Sequence, residues 1–308
     1  MLRLDFTRTD LNLPEALAAT RRASISGVQD KVQLRRKHGG FCVVENGGDY
    51  ILKPVPQNTV AVYASDIPVN EYLTMHIASK IFGINTAEHE LVTLADGEYA
   101  YMTKRFDRRN GVPVRQEDFC QLAGRSEESH GENYKYDSSY EELAQLVRRY
   151  CPSHMVENPK ILFLVIFNYV FSNGDAHLKN FSLFESAQGD YILTPAYDLL
   201  NTRLHFPGEP TATGLDFFAD GHFTSQYEAL GFYSGADFVE LGKCFGVQEN
   251  MVLKMLARFG KATCDVEKEI ASSVLSAPAK ELYLKHFKDR LRAVELSAIY
   301  ALPIEVGM

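Results

Sequence analysis

The chain has 308 residues, a length that predicts one large domain or two lobes that share a cleft. Its formal net charge of -8 disfavours non-specific binding to nucleic acid or to anionic membranes. The five cysteines are scattered and form no C-x-x-C pair, which predicts free thiols in a reducing cytosol rather than a zinc site or disulfide framework. No apolar run has the length of a signal peptide or membrane span, so we expect a cytoplasmic protein, with export by another route left open.

The first hundred residues predict strands and turns around a single helix. Segments 41–45 and 50–54 are apolar and flank an Asn-Gly-Gly-Asp turn, a pattern typical of a β-hairpin. The hydrophobic period becomes helical in residues 70–82. Two further strands are predicted at 89–94 and 99–106, joined by a turn that contains Asp and Gly.

After Asp107 the predicted elements are mainly helices. Residues 203–235 have no clear period and are interpreted as a loop region. The predicted helices are 140–150, the strongly apolar 159–171, 251–259, 265–275 and 280–300, and a second hairpin is predicted from 181–185 and 191–194. The fold class is therefore α+β, with a small β-rich lobe at 1–106 followed by a larger, mainly helical lobe at 107–308. Nucleotides often bind in a cleft between two such lobes.

The segment S-N-G-D-A-H-L-K-N follows the apolar helix directly and contains the clearest chemical signal. Asp175 and Asn180 have the D-x-x-x-x-N spacing of a kinase catalytic loop. A carboxylate can orient an acceptor hydroxyl and take its proton, while an amide oxygen can bind Mg²⁺ without adding a full charge. Lys179 can meet charge on a transferred phosphoryl group, and His177 can brace the loop or contact phosphate. An ordinary Asn/Gly/Asp turn before a strand is the simpler alternative.

Three other residues follow the same order along the chain as in a kinase. Asp198 follows the second predicted hairpin, where a kinase places its second metal-binding Asp, although Leu-Leu follows it instead of Phe-Gly. Lys53 ends an apolar strand, where an unpaired charge would be costly, and Glu71 in the next helix is its natural partner. Considered alone, Asp198 would be interpreted as a helix cap and Lys53 as a surface lysine.

The segment S-I-S-G-V-Q-D-K, from Ser24 to Lys31, matches neither the G-x-G-x-x-G motif nor the Walker P-loop. It resembles the S-x-x-G-x-Q-x-K signature of the HipA family of serine/threonine kinases, and its double serine is similar to the HipT toxins of HipBST toxin–antitoxin systems. The segments K-R-F-D-R and Q-E-D-F-C-Q, between Lys104 and Gln121, resemble further motifs of that family, as do G-D-A-H-L-K-N-F and Y-D-L. The usual first Glu of E-R-F-D-R is Lys104 here.

The resemblance implies a two-lobed protein kinase-like fold and an ATP- and Mg²⁺-dependent kinase that phosphorylates a protein, with aminoacyl-tRNA synthetases among the family's targets. The residues implied to bind ATP are Lys53 with Glu71, Lys31, Ser26, Gly27 and the backbone of Lys104 and Phe106. The resemblance further implies catalytic roles for Asp175, His177 and Lys179, metal ligation by Asn180 and Asp198, and autophosphorylation at Ser24 and Ser26.

Partners are also implied by the resemblance. About two dozen residues precede Ser24, where HipA has an additional subdomain that HipT lacks. We therefore expect a HipS-like small protein and a HipB-like antitoxin, with operator DNA bound through the antitoxin, since no DNA-reading motif is found in this chain. Neither direct nucleic-acid binding nor membrane binding is expected.

Two alternative functions remain open from the sequence. A small-molecule kinase of the aminoglycoside or sugar type would keep the same catalytic loop but would not require the Ser24–Lys31 segment. A pseudokinase would act by binding a partner, although it would have no need of both Asp175 and Asp198.

Overall fold

The structure is a computed structural model that describes residues 1–11, 30–37, 39–57, 59–109, 111–207 and 212–296. The Ser24, Ser26 and Gly27 positions lie outside the described residues. The strands are β1 (Leu2–Arg3), β2 (Val32–Lys37), β3 (Gly40–Val44), β4 (Tyr50–Pro54), β5 (His89–Thr93), β6 (Tyr99–Lys104), β7 (Arg108–Arg109), β8 (Val112–Pro113), β9 (Gln116–Asp118), β10 (Ser182–Glu185) and β11 (Tyr191–Leu193). The helices are α1 (Ile67–Lys80), α2 (Phe119–Leu122), α3 (Glu127–His130), α4 (Tyr140–Tyr150), α5 (His154–Val170), α6 (Ser225–Leu230), α7 (Gly235–Cys244), α8 (Glu249–Lys261), α9 (Thr263–Ser272) and α10 (Ala277–Glu295).

A six-stranded sheet forms the N-terminal part, in the order β1-β5-β6-β4-β2-β3. Its neighbours are antiparallel except for the parallel pair of β1 and β5. The predicted strands at 89–94 and 99–106 are confirmed as the paired β5 and β6. Helix α1 packs on this sheet, and its buried face contains Leu73 and Ile77 as the helical period predicts.

The predicted hairpin of residues 41–45 and 50–54 is wrong, because β2 lies between β3 and β4 and pairs with both. The connection after β3 passes closely over β2, where the backbone N–H of Asp49 donates to the carbonyl of Leu34 at 2.8 Å. A Cβ on Gly48 would lie only 2.8 Å from the Cβ of Gln33, so the crossing needs a glycine.

Helix α5 is the centre of the C-terminal part, as its apolar sequence predicts, and every residue from Ile161 to Val170 is buried. It begins earlier than predicted, so that Pro159 lies within the helix. Aromatic rings extend its core towards α1 and α8: the Phe82 centroid lies 5.6 Å from that of Phe167 and 4.7 Å from that of Phe259. None of the helices in the described part of the chain is long and apolar enough to cross a bilayer.

The segment interpreted as a loop region, residues 203–235, is mostly irregular where the structure describes it, but it contains helix α6 and is buried at 204–206, 213–215, 217 and 218. Leu215 and Phe217 join the main core, and the carbonyl of Asp216 accepts from the N–H of Tyr140 at 2.9 Å. Irregular chain packs here against α4 and the loop after α5, so residues 213–218 are mostly buried without any hydrophobic period, whereas residues 219–231 lie mainly at the surface.

Gly214 is the point of closest approach in that packing. A Cβ built on it would lie 2.4 Å from the carbonyl carbon of Ala176, which belongs to the loop after α5. We predict that Gly214→Ala lowers the free energy of unfolding by roughly 1–3 kcal/mol, because backbone must move to admit the methyl group.

Urea unfolding measures this change, and Gly40→Ala is the matched control. Gly40 lies in a strand, and its nearest neighbour to a new Cβ would be the Asp5 carboxylate at 3.6 Å, an ordinary contact. The control is expected to stay within about 0.5 kcal/mol of the wild type. Equal unfolding midpoints for the two variants would contradict the prediction.

Candidate active site

A cleft of about 480 Å³ lies where the sheet meets the helical part of the chain. Most of the residues predicted to form a site line this cleft, namely Lys31, Lys53, Lys104, Phe106, His177, Lys179, Asn180 and Asp198. Glu71 is fully buried behind Lys53 and does not line the cleft. Asp175 lies in the loop that supplies three of the lining residues.

The ammonium group of Lys53 bridges two carboxylates that come from distant parts of the chain. Its Nζ lies 2.5 Å from Glu71 Oε1 and 2.5 Å from Asp198 Oδ1. The side chains of Lys53 and Glu71 are only 4% and 1% exposed, whereas that of Asp198 is 28% exposed and faces the cleft. Lys31 approaches the other oxygen of Asp198 at 4.0 Å. The predicted pairing of Lys53 with Glu71 is therefore present.

The surroundings shift the pKa values of the two carboxyl groups in opposite directions. Burial alone would lower the pKa of Lys53, but the attraction of Asp198 and Glu71 outweighs it and raises that pKa above its usual value. Burial raises the pKa of Glu71, although Lys53 opposes this. Burial acts in the same direction on Asp198, but Lys53 and Lys31 reverse it and hold the pKa of that carboxyl well below its usual range. The cleft therefore presents an ionised carboxylate at Asp198.

Asp198 has a backbone φ of 56°, in the left-handed region that few non-glycine residues adopt. Its carbonyl accepts from Asn173 Nδ2 at 3.3 Å, and the same amide group donates to Asn168 at 2.9 Å. These bonds connect the turn at Asp198 to the end of α5 and help to stabilise its unusual conformation. The turn directs the carboxylate towards Lys53 and the cleft.

The loop from Asp175 to Asn180 holds its polar side chains in place by local hydrogen bonds. Asn180 Oδ1 accepts from the N–H of His177 at 3.1 Å, and Asn180 Nδ2 donates to Asp198 Oδ2 at 3.5 Å. The hydroxyl of Tyr136 donates to Asp175 Oδ1. Asn180 and Asp198 thus adjoin each other, while a tyrosine from outside the loop contacts Asp175.

His177 is buried with both ring nitrogens lacking a hydrogen-bond partner among the described residues. Burial, reinforced by the nearby charge of Lys135, lowers the pKa of His177 to about 3. The ring is therefore neutral near pH 7, which suits bracing of the loop rather than the binding of phosphate as a cation. Its neighbour is the ring of Tyr136, at 5.1 Å between centroids.

Lys179 faces the cleft but already has a partner. Its Nζ lies 2.8 Å from Asp118 Oδ2, and Asp118 caps helix α2 by accepting from the N–H of Gln121 at 2.9 Å. The charge of Lys179 is consequently shared with a carboxylate, so Lys179 can serve a phosphoryl group only in competition with Asp118.

Near Lys104, the cleft is lined by backbone groups and by the aromatic rings of Phe106 and Tyr197. The N–H of Lys104 already donates to the carbonyl of Glu88 at 2.8 Å, which leaves its carbonyl to contact a ligand. The Lys104 side chain points outward and pairs with Glu88 at 2.9 Å. The ring of Phe106 packs 5.6 Å from that of Tyr197, and both residues line the cleft.

The residues present fit a magnesium ion that is shared with a phosphorylated ligand. No group of three or more acidic, histidine or cysteine side chains that could bind a metal exists in the described part of the chain. Mg²⁺ in phosphate sites is commonly held through one or two carboxylates together with phosphate oxygens and water. Asp198 and Asn180 could supply the protein's share if the Asn180 amide turned its oxygen, which accepts from the N–H of His177, towards the Asp198 carboxylate. Lys53 already places a cation beside that carboxylate.

The residues of the cleft region that sequence reasoning missed include Asp118, Lys135, Tyr136 and Tyr197. Asp118 lies in the Q-E-D-F-C-Q motif and is the N-cap of helix α2. Its capping pattern is visible in the sequence and indicates a helix start at this residue. Lys135 and Tyr136 lie in an irregular segment before α4 whose sequence has no period, so only the folded chain reveals their position.

Comparison with known proteins places this chain among kinases. A family model described as the HipA-like C-terminal domain matches residues 23–268. A Haemophilus influenzae protein named as a candidate kinase is 30% identical over 292 residues, which cover 89% of this chain and 82% of the relative. The serine/threonine-protein kinase toxin HipA of Shewanella oneidensis is 27% identical over 297 residues, which cover 88% of this chain and 63% of that protein.

Solved structures share the fold at low sequence identity. HipA in the Shewanella oneidensis complex of HipA, HipB and operator DNA matches 92% of this chain and 67% of its own length, with a TM-score of 0.68 and 22% identity. The Helicobacter pylori proinflammatory kinase CtkA matches 100% of this chain and 99% of its own length, with a TM-score of 0.61 and 14% identity. The predicted kinase-like α+β fold is confirmed.

The buried imidazole of His177 makes a testable contribution to stability. Between its folded pKa of about 3 and the usual value near 6.5, only the unfolded chain binds the proton, so stability falls as the pH drops through this window. We predict that His177→Gln reduces the pH dependence of the unfolding free energy by about 1.4 kcal/mol per pH unit below pH 6.

Urea unfolding at pH 7, 6 and 5 checks this prediction, with His130→Gln as the control because His130 is exposed. His130→Gln is expected to keep the wild-type slope of unfolding free energy against pH. A His177→Gln slope equal to the wild-type slope would show that His177 is not held neutral by the fold.

Proposed function

Because this chain belongs to the family defined by the HipA-like C-terminal domain, we propose that it is an ATP- and Mg²⁺-dependent serine/threonine protein kinase. The observation that supports this most strongly is the buried bridge of Lys53 to Glu71 and Asp198, beside the loop of Asp175 and Asn180. We also propose that residues 1–106 and 107–308 act as the two lobes of the kinase.

The proposed reaction assigns each side chain to one part of the phosphoryl transfer. Lys53, positioned by Glu71, would bind the α- and β-phosphates of ATP, and the backbone of Lys104 and Phe106 would contact adenine above the cleft floor. Asp175 would orient the acceptor hydroxyl and take its proton. Asp175 lies in a loop that is held to the end of α5. This position suits a catalytic carboxylate whose orientation must be fixed before the reaction.

The metal would be held by Asn180 and Asp198, and it would neutralise charge that develops on the phosphate oxygens. For Asp198 to bind the metal, its contact with Lys53 must weaken, since a lysine and a metal ion compete for the same carboxylate. Lys31 and Lys179 line the same cleft and add positive charge for the phosphates. His177, being neutral, would hold the loop in shape through its contact with Tyr136.

Ser24 and Ser26 are proposed as autophosphorylation sites of a HipT-like toxin. They precede Lys31, which lines the cleft, so a phosphate on either serine would carry negative charge into the neighbourhood of the ATP phosphates. Like-charge repulsion should then displace the segment and lower the rate of transfer.

The proposed acceptor is a protein of the translation machinery, with an aminoacyl-tRNA synthetase as the first candidate. The Shewanella HipA structure contains HipB and operator DNA, which supports a HipB-like antitoxin as a partner of this chain. A HipS-like small protein is proposed as a second partner. The net charge of -8 suits a role in which DNA contacts are made by the antitoxin.

The test compares the phosphatase-treated wild type with Asp175→Ala and with the double variant Ser24→Ala/Ser26→Ala. Each protein is incubated with ATP and Mg²⁺, and intact mass followed by peptide mapping detects added phosphate. We expect phosphate on Ser24 or Ser26 of the wild type and a rate at least about 100-fold lower for Asp175→Ala. The double serine variant should gain no phosphate at the mapped positions but should still turn over ATP.

Four other outcomes would contradict parts of this proposal. Phosphate added equally to the wild type and Asp175→Ala would remove Asp175 from the chemistry. Phosphate retained in the double serine variant would place autophosphorylation elsewhere. No transfer and no ATP binding by the wild type would favour a pseudokinase, whereas transfer to an aminoglycoside or sugar alone would favour a small-molecule kinase.

A further inference from the structure

The irregular segment before α4 and the first residue of that helix are joined to the catalytic loop at three points. The N–H of Leu178 donates to the carbonyl of Lys135 at 3.1 Å, and the hydroxyl of Tyr140 donates to the carbonyl of Ala176 at 3.3 Å. Between them, the hydroxyl of Tyr136 donates to a carboxylate oxygen. Residues 135–140 and 175–178 therefore form one continuous contact.

The segment is also held firmly at its junction with α4. Ser139 caps the helix by accepting from the N–H of Glu142 at 3.0 Å, and Ser138 donates to the Glu142 carboxylate at 2.9 Å. Arg125 binds the same carboxylate at 2.7 Å. A segment anchored in this way can fix a side chain against the loop rather than merely pass near it.

The Tyr136 side chain is fixed by its surroundings on both the ring and the hydroxyl. Its ring meets His177 edge to face at 5.1 Å, and the Lys135 ammonium lies 4.9 Å from its centroid. The hydroxyl is directed at Oδ1 of Asp175. Since the partner is a carboxylate, this is a charge-assisted hydrogen bond of the stronger kind.

We propose that Tyr136 is a positioning residue for phosphoryl transfer, which orients the Asp175 carboxylate towards the acceptor hydroxyl. This inference rests on the proposed kinase function. By holding Oδ1, Tyr136 restricts the rotation of the carboxylate that takes the proton.

The transfer step balances with this assignment. The acceptor oxygen forms a bond to the γ-phosphorus while the bond from that phosphorus to the β–γ bridging oxygen breaks, and ADP leaves with the electron pair. The acceptor's proton passes to the Asp175 carboxylate, and Tyr136 keeps its own proton throughout. Tyr136 therefore does not touch the reacting atoms and acts only through Asp175.

Tyr136→Phe isolates the hydroxyl, because phenylalanine retains the ring contacts with His177 and Lys135. Steady-state release of ADP from Mg-ATP, with water or the chain's own hydroxyls as acceptor, gives kcat and KM. We expect kcat to fall about 10- to 100-fold, as misorientation of a reacting group does, with the KM for ATP changed less than about threefold.

A double-mutant cycle tests whether the effect passes through Asp175. In the Asp175→Ala background, Tyr136→Phe should cause no further loss of kcat, because the carboxylate that it positions is absent. The control is Tyr169→Phe, which removes a buried hydroxyl that donates to the carbonyl of Tyr233, remote from the cleft lining. Its kcat should remain that of the wild type even if its unfolding midpoint falls.

Each outcome of these measurements either supports or overturns the positioning role of Tyr136. A wild-type kcat in Tyr136→Phe, or an equal loss of kcat in both backgrounds, would overturn the positioning role and leave the proposed kinase function standing. A higher kcat would show that the tyrosine blocks the carboxylate instead of orienting it, which also overturns the inference. A wild type that releases no ADP at all would overturn the inference and the kinase function together.

Discussion

The rest of the site depends on one constraint: the ammonium of Lys53 is buried and must have anionic partners. An unpaired charge in this position would cost several kcal/mol, and loss of one member of a buried ion pair typically costs about 3–5 kcal/mol. Lys53 comes from the sheet, Glu71 from helix α1, and Asp198 from the turn after β11. Satisfying this one charge therefore brings the two halves of the chain together at the cleft.

Helix α1 is held to the C-terminal part by further polar contacts, which keep Glu71 in place. Asn70 donates to the carbonyl of Asn201 at 2.9 Å, and Thr74 is bonded to the hydroxyl of Tyr283. At the start of the helix, the Asp66 carboxylate accepts from the N–H and hydroxyl of Ser276 at 2.8 and 2.6 Å. Buried polar groups require partners, so these bonds favour one position of the helix over others. The structure thus represents a preorganised arrangement of Lys53 and Glu71.

Periodic segments of the sequence predicted their structure well, whereas long-range placement was not accessible. Helix α4 has the predicted bounds because Ser139 caps it and its apolar face repeats regularly. The strand order around β2 was mistaken, since nothing local in residues 41–54 shows that another strand will be inserted between them. Positions at the ends of predicted strands made Lys53 and Asp198 site candidates, and both line the cleft, but Tyr136 and Asp118 meet the loop only through tertiary packing.

The most direct test of the central account is the Mg²⁺ dependence of nucleotide binding. Calorimetric titration with a non-hydrolysable ATP analogue, with and without Mg²⁺, would be compared for the wild type and Asp198→Asn, which keeps the shape of the side chain and removes its charge. If Asp198 is a metal ligand, Mg²⁺ should tighten binding of the ATP analogue to the wild type by about tenfold or more, which is about 1.4 kcal/mol. The effect of Mg²⁺ on the variant should be much smaller. An equal effect of Mg²⁺ on both proteins would contradict the assignment of Asp198 and, with it, the role given to the buried bridge.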